Sequence, residues 1–126
     1  MSKEDHFHLC AKALIQNHEG KLLLLQWHPK KNEATGKDYW DIPGGRIHKN
    51  ELLENALKRE VYEETGLQNI TDIRPFLMAL SSRRISVQNG DVGLVFATYL
   101  CELLDDTPIR LSSEHTYFDW FEPSTL

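Results

Sequence analysis

A single helical segment, residues 51–65, limits the folds open to this chain more than any other part of its sequence. Its residues are strong helix formers, Asn50 is placed to cap its N-terminus, and Gly66 stands where a left-handed residue commonly ends a helix. The other apolar segments have the composition of strands. This pattern predicts an α+β fold in which a mixed sheet packs against one well-defined helix.

Six segments rich in β-branched, aromatic and aliphatic residues predict strands. They are residues 7–15, 21–26, 39–42, 70–80, 92–103 and 116–121. Turn residues at 17–20 predict a hairpin between the first two, and Pro43-Gly44-Gly45 predicts a tight bend after the third. Residues 27–38 are polar and basic, which predicts a long loop, and residues 81–91 and 104–114 predict connections.

Length and charge limit the classes of protein to which the chain can belong. At 126 residues and 14.6 kDa we expect one domain over residues 1–126. The 19 acidic and 14 basic residues leave a formal net charge of -5, which excludes a global basic field for nucleic acid or an anionic membrane. A polyanionic ligand must therefore be met locally, by a basic patch or through bound cations.

The sequence also predicts a cytoplasmic location. The N-terminus lacks the cationic flank and apolar stretch of a signal peptide, and the longest apolar tract, residues 92–101, is about half a membrane span. Cys10 and Cys101 are too few for a disulfide scaffold and lie in apolar, strand-like segments. We expect both to be core thiols in a reducing compartment.

Three glutamates extend the apolar stripe of the predicted helix. Steps of three and four residues from Leu57 lead to Glu60 and Glu64, which lie within roughly 60° of that stripe, and Glu63 occupies the adjoining edge. Carboxylates at this spacing repel one another, and burying them unpaired forces protonation or destabilises the fold. The helix therefore needs a compensating partner at this end.

Two interpretations of the triplet are open from the residues alone. In the structural one, the helix leaves the core here and the acids pair with Lys58, Arg59 or solvent. In the functional one, oxygen ligands from successive turns form a site for Mg²⁺ or Mn²⁺, which bridge to substrate phosphates. The Gly44-Gly45 bend would then add a backbone carbonyl.

Residues 45–67, GRIHKNELLENALKREVYEETGL, resemble the Nudix box. The box requires Gly, five residues, Glu, seven residues, Arg-Glu, an aliphatic residue, any residue, Glu-Glu, any residue, Gly and an aliphatic residue. Every fixed position is filled, by Gly45, Glu51, Arg59, Glu60, Val61, Glu63, Glu64, Gly66 and Leu67. The preceding YWDIPGG is also similar to the family's strand and turn. The resemblance covers most of the chain and implies an αβα sandwich with a mixed β-sheet.

The resemblance implies Mg²⁺-dependent hydrolysis of a diphosphate linkage in a nucleoside diphosphate derivative, with Mn²⁺ as a substitute. Carried over by position, Glu60, Glu64 and the Gly44 carbonyl would hold the metal, and Glu63 would be a further ligand or organise water. Glu60 is the preferred general base. Arg59 would orient the glutamates, with Glu51 as its partner.

One more acid follows from the same resemblance. Glu114, in SSEHTYFDWFEPSTL, stands where the family often supplies one more acid near the metals, although it could equally pair with His115 or solvent. No tag of the dinucleoside-polyphosphate, coenzyme A, NADH or ADP-ribose branches is present, which leaves nucleoside triphosphates or related small nucleotides. Arg46, Lys30 and Lys31 could meet phosphates, and Trp40 could stack on a base.

Two further expectations concern function and assembly. A non-catalytic nucleotide sensor on the same fold is the alternative to an enzyme, but such modules generally have a degraded box. Many family members continue into a closing helix, whereas this sequence stops after Pro123-Ser124-Thr125-Leu126. Either that helix is absent or a partner supplies the missing cover, so a homodimer is plausible.

Overall fold

The computed structural model describes residues 3–31 and 38–125, without the side chains of residues 27–31, 38 and 39. These residues form seven strands, one α-helix and a final 3₁₀ turn. In chain order they are β1 (Phe7–Gln16), β2 (Leu22–Lys31), β3 (Asp38–Asp41), β4 (Gly44–Arg46), α1 (Leu53–Thr65), β5 (Ile70–Val87), β6 (Gly90–Leu103), β7 (His115–Phe121) and the turn Pro123–Thr125.

The strands form one mixed sheet. Its main path runs β3-β2-β1-β6-β5, while β4 pairs with β1 and β7 pairs with β2. The central pair, β1 and β6, is parallel over its whole length, from Phe7 opposite Gly93 to Gln16 opposite Glu102, and the other pairs are antiparallel. A mixed sheet with one helix confirms the α+β class. Since β4 and β6 both pair with β1, they lie on opposite edges of that strand.

One face of the helix closes the core against the central strands. Leu57 and Val61 are almost completely buried and belong to the same apolar cluster as Ala13 and Ile15 of β1. The helix ends as expected at Gly66, whose φ of 78° is left-handed and whose N–H donates to the Tyr62 carbonyl at 2.8 Å. No helix among the described residues has the length and apolar character that a bilayer crossing requires.

The predicted start of the helix is wrong by two residues. Asn50 does not cap it: its φ is 65°, and it lies in a turn rather than at the first helical N–H groups. The turn is closed by Glu51, whose N–H donates to the His48 carbonyl at 3.1 Å and whose carboxylate accepts the His48 N–H at 2.9 Å. The helix begins at Leu53 without a side-chain cap because its N-cap residue is Leu52, whose side chain has no atom that could accept a hydrogen bond.

Three predicted connections are also corrected, for one physical reason. Strand β2 continues to Lys31 instead of ending before a loop, strand β5 continues to Val87, and Gly44–Arg46 forms a strand after the bend. Each has a neighbouring backbone to pair with, such as His115 opposite Trp27 and Gly90 opposite Val87. The backbone hydrogen bonds to the neighbouring strand outweigh the polar composition of these segments. The remainder of the predicted 27–38 loop, residues 32–37, lies outside the described residues.

Gly44 is required by the close approach of β4 to β1. Its φ is 149°, and a Cβ atom there would collide with the Ala11 carbonyl oxygen and lie 2.7 Å from the Lys12 Cα. Both neighbours are main-chain atoms that cannot move aside. This contact sets the distance between β4 and the centre of the sheet.

We predict that Gly44→Ala lowers the free energy of unfolding by roughly 3 kcal/mol or more, measured by urea denaturation. Gly90→Ala is the matched control, since Gly90 also has a positive φ, 135°, but its added Cβ would meet no atom within 4 Å. The control should lose only the backbone term, about 1 kcal/mol. Equal losses in the two variants would show that the β1–β4 contact is not what makes Gly44 necessary.

Candidate active site

The C-terminal half of α1 lies against β4, and this junction brings the predicted acids together. A Cβ atom on Gly45 would lie 2.6 Å from the carboxyl carbon of Glu60, so the absence of a side chain at Gly45 makes room for that carboxylate. Gly45 in turn pairs with Ala11 of β1. The sheet therefore positions a glycine backbone directly beside the acidic face of the helix.

Arg59 connects most of the acids in this cluster. Its Nε and Nη2 atoms donate to the two oxygens of Glu51, at 2.7 and 3.0 Å, in the bidentate arrangement that arginine favours with carboxylates. Nη2 also donates to the Arg46 carbonyl of β4 at 3.2 Å. The hydrogen bonds from Arg59 and the His48 N–H lower the pKa of Glu51 to about 2. Arg59 thereby fastens the helix to both the preceding turn and β4.

The remaining guanidinium nitrogen, Nη1, meets two of the glutamates at the C-terminal end of the helix. Arg59 Nη1 donates to Glu60 Oε1 at 2.9 Å and lies 3.5 Å from Glu63. Glu60 is mostly shielded, with 15% of its side chain exposed, whereas Glu63 is 54% exposed. Hydrogen bonds to Glu51 and Glu60 raise the pKa of Arg59, so the guanidinium is a permanent positive charge among these acids.

Glu64 has a different environment and does not contact Arg59. It is buried, its Oε1 accepts the Gly44 N–H at 3.1 Å, and its Oε2 lies 3.9 Å from His115 Nε2. Burial raises the pKa of Glu64 to about 7, and the nearby charges of Glu60 and Glu114 act in the same direction. Desolvation also lowers the pKa of His115. The inner end of the cluster thus carries a carboxylate that lacks a strong positive partner.

Sequence reasoning missed an ion pair beside this carboxylate. Lys12 Nζ lies 3.0 Å from Asp41 Oδ2, and only 13% of the lysine side chain is exposed. The positive charge of Lys12 acts to lower the pKa of Glu64. A lysine in the middle of an apolar strand, as in Cys-Ala-Lys-Ala-Leu, is costly to bury and could have drawn attention to this position.

The structure gathers six of the predicted site residues at the α1–β4 junction: Gly44, Glu51, Arg59, Glu60, Glu63 and Glu64.

The other predicted residues lie outside this junction. Glu114 is exposed on the loop before β7, and its charge acts on Glu64. The Arg46 side chain is exposed, while its carbonyl accepts from Arg59. Trp40, 37% exposed, packs edge-on against Phe121 at 5.1 Å between ring centroids. Lys30 and Lys31 belong to β2, but their side chains lie outside the described residues.

The donor set is compatible with a hard divalent cation. In the described part of the chain no three His, Cys, Asp or Glu side chains converge closely enough to hold a metal ion, since Arg59 engages Glu60 and Glu63 while Glu64 turns to Gly44. The oxygens are nevertheless the kind that Mg²⁺ prefers. One of them belongs to a buried carboxylate with an elevated pKa. A cation here would supply the positive charge that Glu64 lacks.

We predict that the Glu51–Arg59 pair contributes stability that acid removes. Because the folded-state pKa of Glu51 is below its ordinary value of 4.5, the contribution is complete above that pH and is lost as pH falls toward 2. Glu51→Gln should therefore lower the urea midpoint at pH 7 but converge with the wild type near pH 2. Glu54→Gln is the control, since Glu54 meets Lys58 in an exposed pair at 3.4 Å. A Glu51→Gln deficit that is independent of pH would contradict the assignment.

Comparison with known proteins points to one family. The NUDIX domain model matches residues 6–126, nearly the whole chain. Nucleoside triphosphatase NudI of Escherichia coli is 27% identical over 90% of this chain and 80% of its own. The low-salt glycan biosynthesis protein Agl8 of Haloferax volcanii is 31% identical over 91% of this chain and 71% of its own. The crystal structure of MutT protein from Methanosarcina mazei Go1 superposes with a TM-score of 0.68 at 27% identity, covering 98% of this chain and 83% of the other. The chain therefore belongs to the Nudix family of hydrolases.

Proposed function

We propose that this protein is a Mg²⁺-dependent pyrophosphohydrolase that cleaves a diphosphate linkage in a nucleoside triphosphate or a related small nucleotide. The observation that carries the proposal is the junction of α1 and β4, where Glu60 and Glu64 lie against the Gly44-Gly45 backbone. There Arg59, itself held by Glu51, donates to Glu60 and lies beside Glu63. This arrangement uses every acidic position of the Nudix box.

Glu60 and Glu64 are the proposed primary metal ligands, with Glu63, Glu114 and the Gly44 carbonyl as further candidates. When bound, Mg²⁺ would neutralise phosphate charge and lower the pKa of the attacking water. The site residues can accept such an ion without leaving a buried charge unpaired. Arg59 donates to Glu60 through Oε1, so Oε2 can face a cation while Arg59 keeps its hydrogen bonds to Glu51 and to Glu60.

The chain's own groups then have separate roles. Water attacks phosphorus, the bond from that phosphorus to the bridging oxygen breaks, and a carboxylate accepts the water proton. We assign the proton to Glu60, because this carboxylate is mostly shielded from bulk water, with 15% of its side chain exposed, and is held in place by Arg59. Arg59 and Glu51 are positioning residues that fix the direction of the Glu60 carboxylate.

The names of two relatives support the substrate class. One relative is named a nucleoside triphosphatase and another a glycan biosynthesis protein, so a nucleoside triphosphate is the first choice and a nucleotide sugar the second. Arg46, Lys30 and Lys31 are proposed to meet phosphates. Trp40, whose ring is partly exposed beside Tyr117, is proposed to contact the base.

A reducing, cytoplasmic location is proposed from the two thiols. Cys10 and Cys101 are both free and buried. Cys10 pairs with Phe96 across β1 and β6, whereas Cys101 pairs with Ile15, so they are separated by five positions along the strands. At about 3.3 Å per residue this is roughly 16 Å, too far for a disulfide bond between them.

The proposal predicts that Glu60→Gln and Glu64→Gln fold normally but lose diphosphate cleavage by about a hundredfold or more. The purified protein is incubated with Mg²⁺ and a panel of nucleoside triphosphates, nucleotide sugars, ADP-ribose and dinucleoside polyphosphates, and products are identified by mass. Glu54→Gln, on the exposed side of the same helix, should retain wild-type rates.

Two results would contradict the proposed function. Wild-type rates in both glutamine variants would exclude a role for the cluster in catalysis. Nucleotide binding without turnover of any compound on the panel would favour the alternative, a nucleotide sensor on the Nudix fold.

A further inference from the structure

An ion pair between β1 and β3 lies next to the acid cluster, and the proposed chemistry gives it no role. Lys12 Nζ donates to Asp41 Oδ2 at 3.0 Å, with 13% of the lysine side chain and 31% of the aspartate side chain exposed. A lysine in the middle of an apolar strand is unfavourable to bury unless its charge is paired. The two residues are 29 positions apart in the sequence, so their contact restrains one strand relative to the other.

Lys12 holds both ends of the bend between β3 and β4. We define residues 41–44 as the β3–β4 bend. The lysine ammonium group contacts Asp41 at the first position of the bend, and the lysine backbone lies opposite Gly44 at the last. The stem of the side chain also passes beside Gly44, since a Cβ atom added there would lie 2.9 Å from Lys12 Cδ. One residue of β1 thus contacts the bend where it begins and where it ends.

Three further hydrogen bonds hold the β3–β4 bend. They run from the Ile42 N–H to Asp41 Oδ1 at 2.7 Å, from the Ala13 N–H to the Pro43 carbonyl at 2.7 Å, and from the Gly44 N–H to Glu64 Oε1 at 3.1 Å. The bend is therefore fastened to its own aspartate, to β1 and to α1.

The strand pairing of β3 does not by itself fix the bend against β1. β3 pairs with β2, and the described register between β2 and β1 is the single pair Gln16 and Leu22, next to the hairpin turn. β1 and β6, in contrast, pair along the whole length of β1. Away from the turn, other contacts must set the distance between β3 and β1, and the Lys12–Asp41 pair is one of them.

We propose that Lys12 and Asp41 are positioning residues for the proposed metal site and act through the β3–β4 bend. The bend carries two groups assigned to that site, because the Gly44 carbonyl is a candidate ligand and the Gly44 N–H orients the Glu64 carboxylate. A shift of the bend displaces both groups together. Residues that hold metal ligands in place commonly change metal affinity by about ten- to a hundredfold when they are replaced. The inference rests on the proposed function, since the cation it concerns is the one assigned there.

Two simpler roles of the ion pair make different predictions. If the pair only stabilises the fold, its removal lowers the free energy of unfolding and leaves the affinity for a cation unchanged. If the pair acts only through its charges, loss of Lys12 strengthens cation binding and loss of Asp41 weakens it, because the two charges have opposite signs. Positioning requires that the loss of either residue weakens cation binding.

The test is Mn²⁺ binding to the metal-free full chain, followed by electron paramagnetic resonance, for Lys12→Met, Asp41→Ala and the double variant. The double variant removes one positive and one negative charge, so its local net charge equals that of the wild type, and it leaves no buried lysine without its partner. We expect the double variant to raise the Kd for Mn²⁺ about tenfold, and each single variant to raise it as well. Circular dichroism and urea unfolding check that the variants are folded.

Arg84→Met is the matched control. Arg84 forms ion pairs with Asp5 and Asp91, each at 2.7 Å, on β5, which β6 and β1 separate from β4. Its replacement removes contacts of the same kind and should leave the Kd for Mn²⁺ at the wild-type value.

The outcomes separate this inference from the proposed function. A wild-type chain that binds Mn²⁺, with a double variant that binds equally well or single variants that shift the Kd in opposite directions, would overturn the positioning role alone. A wild-type chain that does not bind Mn²⁺ would overturn the positioning role together with the metal-dependent function.

Discussion

One guanidinium holds together a group of carboxylates that would otherwise repel one another. Arg59 donates to Glu51 through two nitrogens, to Glu60 through the third, and to a main-chain carbonyl of β4. These bonds fix the helix, the preceding turn and the sheet in one arrangement. Arg59 does not reach Glu64, which is buried and whose pKa is raised by that burial. Lys12 already acts to favour the ionised form of Glu64, and a divalent cation bound beside this carboxylate would favour it further.

Close packing of the main chain places the acids of α1 beside β4. Gly44 allows β4 to approach β1, and Gly45 allows the Glu60 carboxylate to lie against the same strand. The helix then presents Leu57 and Val61 to the core while the next turn presents acids to β4. One face of the helix thus packs into the core and also carries the acids of the site. A change that shifts α1 relative to β4 alters both.

Local rules predicted what depends on local sequence. The helix body, its end at Gly66, the hairpin and the shared helix face of Glu60 and Glu64 required only spacing, capping and propensity. The partnership of Glu51 with Arg59 came from the resemblance to the Nudix box. Contacts between distant segments were not predictable in this way. The continuation of β2 and β5 depends on strands that pair with them, the helix start depends on the His48–Glu51 turn, and the Lys12–Asp41 pair joins β1 to β3. The exposure of residues 76–80 likewise depends on the position of β5 at the end of the main sheet path, which composition does not encode.

The most direct test of a cation-dependent acid cluster is binding of Mn²⁺ to the metal-free chain, followed by electron paramagnetic resonance. The free-ion signal should fall as wild-type protein is added and return when excess Mg²⁺ displaces Mn²⁺. The double variant Glu60→Gln with Glu64→Gln should leave the signal unchanged, whereas Glu54→Gln should bind as the wild type does. A wild-type chain that leaves the free Mn²⁺ signal intact, or a double variant that binds equally well, would contradict the account.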